Sequence, residues 1–385
     1  MSAAPVVAHR VAEYLRFGYN WIYPFIGGLR RYRPLVLCKR TANLSYFPLD
    51  AAGGEIVAAY SGPLSHAYQN AAKAWFAPHY PAFFKAIERR QAVLLHSHFA
   101  SFGYEDLPLK RRFGLPHVFS TYGADIWKLG MLEEWRRKYA ELFRESEALL
   151  AEGGAMRERI IALGCPAEKV RVLHLGVDLG KVRFIPRQPG ADGIIRCLMA
   201  CRAVEKKGLI YGLRAFANVA QRHRNLRLDA IVHGESKICL RLIDALKSEA
   251  AARGVADRVT WYGAQPYDEY LRIAECAHLY LAPSVLAANG DAEGGCPVAV
   301  IELSAAGMPV LSSRHCDIPE VVADGVSGYL APEKDVDALT DRLEALVTHP
   351  EEWPEMGRAG RAHVEAEYSA ALQPGRLENL YDELL

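Results

Sequence analysis

Long apolar runs are missing from this chain. Nothing in it approaches the ~18 uninterrupted apolar residues that a membrane-spanning helix needs. Paired cysteines are missing too. The eight cysteines, at positions 38, 165, 197, 201, 239, 276, 296 and 316, are scattered, with no C-x-x-C among them. That pattern excludes a zinc ribbon and a secreted disulfide scaffold, and it reads as free thiols in a reducing cytosol. The opening MSAAPVVAHRVAEYLRFGYN has no apolar signal core and no small-residue cleavage site, so no secretory leader is expected. No G-x-G-x-x-G fingerprint follows a strand, which argues against a nicotinamide enzyme, and there is neither a G-x-S-x-G elbow nor a Walker lysine loop. Internal repeats, low-complexity tracts and nucleic-acid-binding motifs are likewise absent.

What remains is 385 residues of ordinary globular composition, 51% apolar and 24% charged, enough for two or three domains. The net charge of +1 hides an asymmetry. Residues 1–180 carry 23 Lys and Arg against 16 Asp and Glu, whereas residues 181–385 carry 23 against 29. A basic front half fits an anionic partner. Short apolar runs of strand length recur in two series: PLVLC (34–38), AVLLH (92–96), HVFST (117–121), ALLAE (148–152) and VRVLHL (170–175), then IIRCLMA (194–200), LRLDAIVH (226–233), RVTWYG (258–263), HLYLAP (278–283) and PVLSS (309–313). Helically spaced patterns such as EEWRRKYAELFRESE and LIYGLRAFANVAQRH separate them. Continuous apolar strands alternating with helices predict parallel α/β sheets covered on both faces. The aperiodic RFIPRQPGADG (183–193) predicts a linker, giving an N-terminal Rossmann-like domain over 1–182 and a second over 183–365, with a last helix at about 366–385. The tail reads as helical except around Pro374-Gly375.

Chemistry concentrates in two stretches of the second half. In PSVLAANGDAEGGCPVAVIELSAAGMPV a strand runs into a small-residue loop with Asp291, Glu293, Gly294 and Gly295, and then into a helix that starts at Pro297 and leaves at Gly307. Glycines let backbone N–H groups approach a bound group, and the helix N-terminus adds partial positive charge for an anion. Glu293 and Glu302 bracket that point, and a fixed carboxylate can hold two vicinal hydroxyls. A glycine-rich turn before an ordinary core helix would produce the same spacing. In IIRCLMACRAVEKKG a strand ends in Arg202 with Lys207-Gly208 after it. A planar guanidinium and a mobile ammonium at a strand–helix turn have the reach of a diphosphate clamp, though solvated loop cations would look alike.

Taken in order, these motifs resemble glycosyltransferase family 4, the retaining enzymes of GT-B fold, and within it the bacterial exopolysaccharide, colanic-acid and lipopolysaccharide subgroup. VRVLHLGVDLGKVRFIPR, RHCDIPEVVADGVSGYLAP, LLHSHFASFG and STYGADIW extend the resemblance over most of the chain. The resemblance implies two Rossmann-like domains facing across a cleft, with a C-terminal helix returning to the first. It implies that Arg202 and Lys207 hold the donor diphosphate, that Glu293 contacts the donor sugar, and that Gly294, Gly295, Cys296, Pro297 and Val298 offer backbone N–H groups. Glu302 would bind the ribose, and Gly263 to Gln265 would sit against the base. Tyr122 and Asp125 occupy catalytic positions of the first domain, and Asn20, Trp21, His98 and Phe99 fall on the acceptor side. The chain departs from the family pattern twice. Glu293 and Glu302 are nine positions apart where the family has eight. Either the loop holds one extra residue, which the additional glycine can absorb, or the first glutamate's role moves to Gly294 and Asp291. Tyr122 stands where many relatives have histidine, and a tyrosine does not become a cation near neutral pH.

Three further signals have bland readings. Asp335-Val336-Asp337 spells a D-x-D metal motif, but it opens an amphipathic helix, where first-turn acids complement the dipole. His96 and His98 point to one face of a strand, yet no third ligand of suitable spacing follows. The aromatics and arginines of YLRFGYNWIYPFIGGLRRYRP fit either a solvated first helix or contact with an anionic membrane surface. The expected function is transfer of a sugar from a nucleotide-diphosphate sugar, without metal or other cofactor. The acceptor would be a sugar, glycolipid or polyprenyl-diphosphate-linked hydroxyl, at or near the inner face of the cell membrane. A nucleotide-sugar epimerase of the same fold and a non-catalytic partner subunit are the alternatives.

Overall fold

A computed structural model describes residues 4–60, 67–68, 71 and 80–385; the first three residues of the stretch read for a leader lie outside it. The chain divides into two compact units, residues 1–176 with 370–385, and residues 177–369. The division falls six residues before the expected boundary of 182/183. The reason is local: 177–182 are tied to the second unit by the Val177 N–H on the Tyr368 carbonyl at 2.8 Å and Arg361 on the Val182 carbonyl at 3.0 Å, and the supposed linker after them is packed there as well. Arg187 is 2% exposed. Its guanidinium donates to the carbonyls of Ala274, Glu275, Ala277 and Ala306 at 2.7–3.1 Å.

The first unit is built on a seven-stranded sheet of β1 (Val6–Arg10), β2 (Arg33–Cys38), β3 (Glu55–Ala58), β4 (Leu94–His98), β5 (His117–Ser120), β6 (Ala148–Ala151) and β7 (Val170–Val172). Its order is β3-β2-β1-β4-β5-β6-β7, with every pairing parallel. The second unit's six strands are β8 (Ile195–Arg202), β9 (Leu226–His233), β10 (Val259–Trp261), β11 (Leu279–Ala282), β12 (Val310–Ser313) and β13 (Gly328–Ala331). They repeat the pattern as β10-β9-β8-β11-β12-β13, again all parallel. β1, β3 and β13 were not foreseen. VVAHR carries two polar residues in five, and EIVA and GYLA are only four residues long.

Helices cover the sheets. In the first unit α1 (Pro81–Arg90) sets Phe83 and Ile87 against Leu35, Leu37 and Leu95. α2 (Ala100–Phe113) and α3 (Glu133–Glu145) pack with Phe119 and Leu149 through Leu107, Tyr139, Leu142 and Phe143. Full burial of such a side chain contributes roughly 1.5–3 kcal/mol. In α3 two acids open the helix, Arg144 closes it, and Glu133–Arg137 and Glu134–Lys138 pair one turn apart. In the second unit α4 (Leu209–Ala220), α5 (Tyr267–Cys276), α6 (Val298–Ala305), α7 (Val336–Thr348) and α8 (Trp353–Glu367) do the same work. The tail breaks at 368–372 rather than at Pro374. That proline lies in the first turn of α9 (Gln373–Leu384), where its missing N–H costs nothing.

Candidate functional site

Both sheets reverse strand order next to their first strand. Open parallel sheets bind ligands outside the carboxyl ends of the strands at such a reversal. In the second unit the reversal lies between β8, ending at Arg202, and β11, ending at Ala282. The turn after β8 carries Lys206 and Lys207 and closes on Gly208, at φ +61°. A Cβ there would lie 1.8 Å from the Pro283 carbonyl oxygen, so only glycine lets the lysine turn sit on the Pro283-Ser284 corner.

The corner brings the expected groups together. Lys207 Nζ lies 2.9 Å from the Glu293 carboxylate, and Ser284 Oγ donates to Glu293 Oε1 at 2.8 Å. Burial works against both charges, but each partner outweighs it, holding the Lys207 ammonium above its ordinary pKa and the Glu293 carboxyl below. Arg202 is exposed at the end of β8, close enough for its charge to act on Lys207. Lys206 donates to Asp291 Oδ1 at 3.2 Å and to the Ala292 carbonyl at 2.7 Å. Asp291 is therefore committed to Lys206, and Glu293 stands beside Lys207.

Gly294, at φ +87°, and the buried Gly295 and Cys296 lead into α6, whose N-cap is Pro297 and whose first residue is Val298. The first N–H groups of a helix have no acceptor within it, so they are available to an anion. Glu302 follows one turn in. Tyr267 Oη donates to its Oε1 at 3.0 Å and Tyr270 Oη to its Oε2 at 3.3 Å. Burial raises Glu302 to about 7, partly opposed by the two phenols. Each oxygen of this carboxylate thus already carries one hydroxyl, an arrangement suited to reading a diol. Gly263, at φ +70°, and Gln265, which donates to the Tyr262 carbonyl at 2.7 Å, form the turn just before α5.

The first unit's reversal lies between β1 and β4 and is lined with imidazoles. His98 Nδ1 is 2.6 Å from Tyr122 Oη, and His98 Nε2 is 3.2 Å from His9 Nδ1. His96 bonds Tyr381 Oη at 2.5 Å and Ser120 Oγ at 2.8 Å. Burial drives all three rings well below the usual histidine range, His9 to about 3, so they are neutral. His9 is the third histidine that spacing did not supply, and one nitrogen from each ring falls within 4.8 Å of the others. The arrangement is a poor metal centre all the same. His96 and His98 stack at 4.5 Å with 22° between their planes, and both His96 nitrogens are already bonded. Phe99, at φ +83°, and Trp21 pack around Tyr122 at 4.8 and 6.3 Å between ring centroids, and Asn20 is exposed. Asp125 turns both oxygens to backbone, accepting from Ala100 N at 2.9 Å and Tyr122 N at 3.0 Å. It braces the start of α2, and burial raises it to about 6. Asp335 caps α7 by accepting from Ala338 N at 2.9 Å.

Sequence reasoning missed Ser284, Tyr267, Tyr270 and His9. The pair Tyr267 and Tyr270, three apart on one helix, was detectable as a shared face. Ser284 lies nine positions before Glu293 in the stretch already singled out, but no spacing marks it, and His9 meets His98 from 89 positions away.

Two tandem doubly wound sheets, the second with a lysine–glutamate pair and a glutamate held by two phenols at its reversal, are the GT-B arrangement. Residues 183–363 match the family described as glycosyl transferases group 1, and residues 29–181 match glycosyltransferase family 4. The chain belongs to this glycosyltransferase family. It is 35% identical over 267 residues to the amylovoran biosynthesis glycosyltransferase AmsK of Erwinia amylovora, covering 68% of this chain and 63% of that one. It is 34% identical over 227 residues to the putative colanic acid biosynthesis glycosyltransferase WcaL of Escherichia coli, covering 58% and 53%. The chain thus spans about half to two-thirds of the length of these relatives. In fold it resembles Anabaena HepE crystallised with UDP and glucose, at TM-score 0.76 and 14% identity over 99% of this chain and 100% of that one. The Thermosynechococcus elongatus sucrose-phosphate synthase is as similar, at TM-score 0.76 and 15% identity over 99% of each chain.

Proposed function

We propose that this chain is a retaining glycosyltransferase that moves a sugar from a nucleotide-diphosphate sugar to an acceptor hydroxyl during assembly of a bacterial surface polysaccharide or glycolipid. The observation that carries the reading is the Lys207–Glu293–Ser284 cluster beside the glycine turn, with Glu302 one helical turn further on. The names of AmsK and WcaL support the polysaccharide context, and HepE's complex supports a nucleotide donor.

In this reading the bond from anomeric carbon to phosphate oxygen breaks, and its electron pair goes to the oxygen. Arg202, Lys207 and the α6 N-terminus stabilise the charge that builds there. As the diphosphate takes up Lys207, the Glu293 carboxylate is freed toward the sugar hydroxyls, and Glu302 takes the ribose. The acceptor oxygen bonds to carbon on the face the phosphate leaves, and its proton goes to the departing phosphate oxygen. No protein nucleophile and no cofactor is then called for. Asn20, Trp21 and Phe99 would contact the acceptor, a sugar, glycolipid or polyprenyl-diphosphate-linked glycan, with the fully buried His98 bracing Tyr122 behind them. The basic first half suits a peripheral position at an anionic membrane on the cytoplasmic side. Among the described residues no helix is long and apolar enough to cross a membrane.

A thermal-shift screen against UDP, GDP, ADP and their sugars identifies the donor, since a ligand bound only by the folded state raises Tm. Lys207→Ala and Glu302→Ala should then each reduce transfer by roughly 100-fold or more in folded protein. Unchanged turnover in both would overturn the assignment. A donor epimer formed without acceptor would favour an epimerase, and binding without turnover a partner subunit.

A further inference from the structure

We infer that His315 and Glu333 are positioning residues that fix the backbone of Glu293, an inference that rests on the reading of Glu293 as the sugar-holding carboxylate. His315 follows β12 and is 2% exposed. Its Nε2 lies 3.2 Å from the Glu293 backbone nitrogen, and its Nδ1 lies 2.7 Å from Glu333 Oε1. A backbone N–H can only donate, so Nε2 carries the lone pair. The ring proton therefore sits on Nδ1 and is donated to Glu333. Cys316 Sγ, 3.3 Å from Nε2, is a weak second neighbour of the same lone pair.

Glu333, just past β13, spends its other oxygen on the Leu286 N–H at 2.7 Å. One carboxylate thus holds both ends of the loop 286–293, Leu286 directly and Glu293 through the imidazole. Between those ends the loop is held by turn bonds, Ala287 N to Asp291 O at 3.0 Å and Gly290 N to Ala287 O at 2.9 Å, and by Glu205 on the Ala288 N–H at 2.9 Å. The Glu293 side chain is held by Lys207 and Ser284, and the carbonyl side of its peptide by Lys206 on Ala292 O at 2.7 Å, which leaves the N–H side of that peptide to be fixed. His315 holds that N–H side, and its tautomer is what makes the contact attractive. A proton on Nε2 would set two donors against each other.

The tautomer can be read without any activity. In protein labelled with ¹⁵N-histidine, the resonances lost in His315→Phe should be those of a neutral ring protonated on Nδ1. A ring protonated on Nε2, or on both nitrogens at neutral pH, would overturn the inference. Kinetically, His315→Phe should lower kcat by roughly ten- to a hundredfold, the scale of a sub-ångström to 1 Å misplacement, with the Kd for nucleoside diphosphate unchanged. His315→Gln keeps an acceptor oxygen near the Nε2 position and should restore most of the loss. Glu333→Ala should reproduce the kcat defect. Equal kcat in the Phe, Gln and native proteins would overturn the inference while leaving the functional reading intact. A native protein that binds nucleotide but transfers nothing, with the Nδ1–H signature present, would overturn that reading and leave the tie standing.

Discussion

The two sheets share a strand order, yet opposite chemistry stands at their reversal points. In the first unit the ends of β1 and β4 present His9, His96 and His98, fully buried and neutral, with Tyr122 bonded to His98 and Tyr381 to His96. In the second the ends of β8 and β11 lead to Lys207 and Glu293, which keep each other charged. One backbone geometry supports both. Burial discharges an ionisable group that lacks a counter-charge and preserves one that has it. Only the second arrangement has charge to offer an incoming anion.

The strongest way to break this comparison is to remove one member of the charged pair. Lys207→Ala leaves Glu293 buried and alone, and should cost about 3 kcal/mol in chemical denaturation, at the low end for a broken buried pair. Adding Glu293→Gln should recover most of that stability and none of the transfer. If the double variant is as unstable as the single one, the pair is not what holds the corner.

A smaller effect sharpens the contrast through pH, with opposite signs in the two units. Unfolded histidine takes its proton near 6.5, whereas folded His9 resists until about 3. The stability this ring contributes is present above 6.5 and drains away as pH falls. Glu302 runs the other way. Its ordinary value of 4.5 is raised to about 7, so its contribution is present below 4.5 and lost as pH rises through 7. Denaturation at several pH values should show His9→Leu flattening the acid limb and Glu302→Gln flattening the limb toward neutrality. The same slope in variant and native protein would remove the electrostatic account of that unit.

The smallest effect concerns the D-x-D. Asp335→Ala should cost about 1 kcal/mol, the worth of an N-cap, with full transfer activity. A large loss of transfer would reopen the metal reading of that motif.

How much was legible follows the same divide. The apolar strands of both sheets, and α3 and α4, could be read from their runs and spacing because burial on two faces leaves a local signature. β1 was hidden by His9 and Arg10, polar residues that become buried only through tertiary contacts. The stretch around Arg187 looked like a linker because its partners, four carbonyls at the ends of two helices, lie ~90–120 positions away in sequence. At the site, Arg202, Lys207, Glu293 and Glu302 were legible as motifs. Ser284, His315 and Glu333 were not, since three separate strand ends must fold together before they meet. Asp125 was legible as a motif position too, but not its contacts with the Ala100 and Tyr122 N–H groups, the first of them 25 positions away.

α6 is only eight residues long, about 12 Å from end to end at 1.5 Å per residue. So short a dipole nearly cancels itself, because the negative pole trails close behind the positive one. Here two guanidiniums cover that trailing pole: Arg187 on the Ala306 carbonyl at 3.0 Å and Arg361 on the Ala305 carbonyl at 3.2 Å. An anion arriving at Val298 would therefore meet a field in which the far end has been muted and two distant cations add their pull.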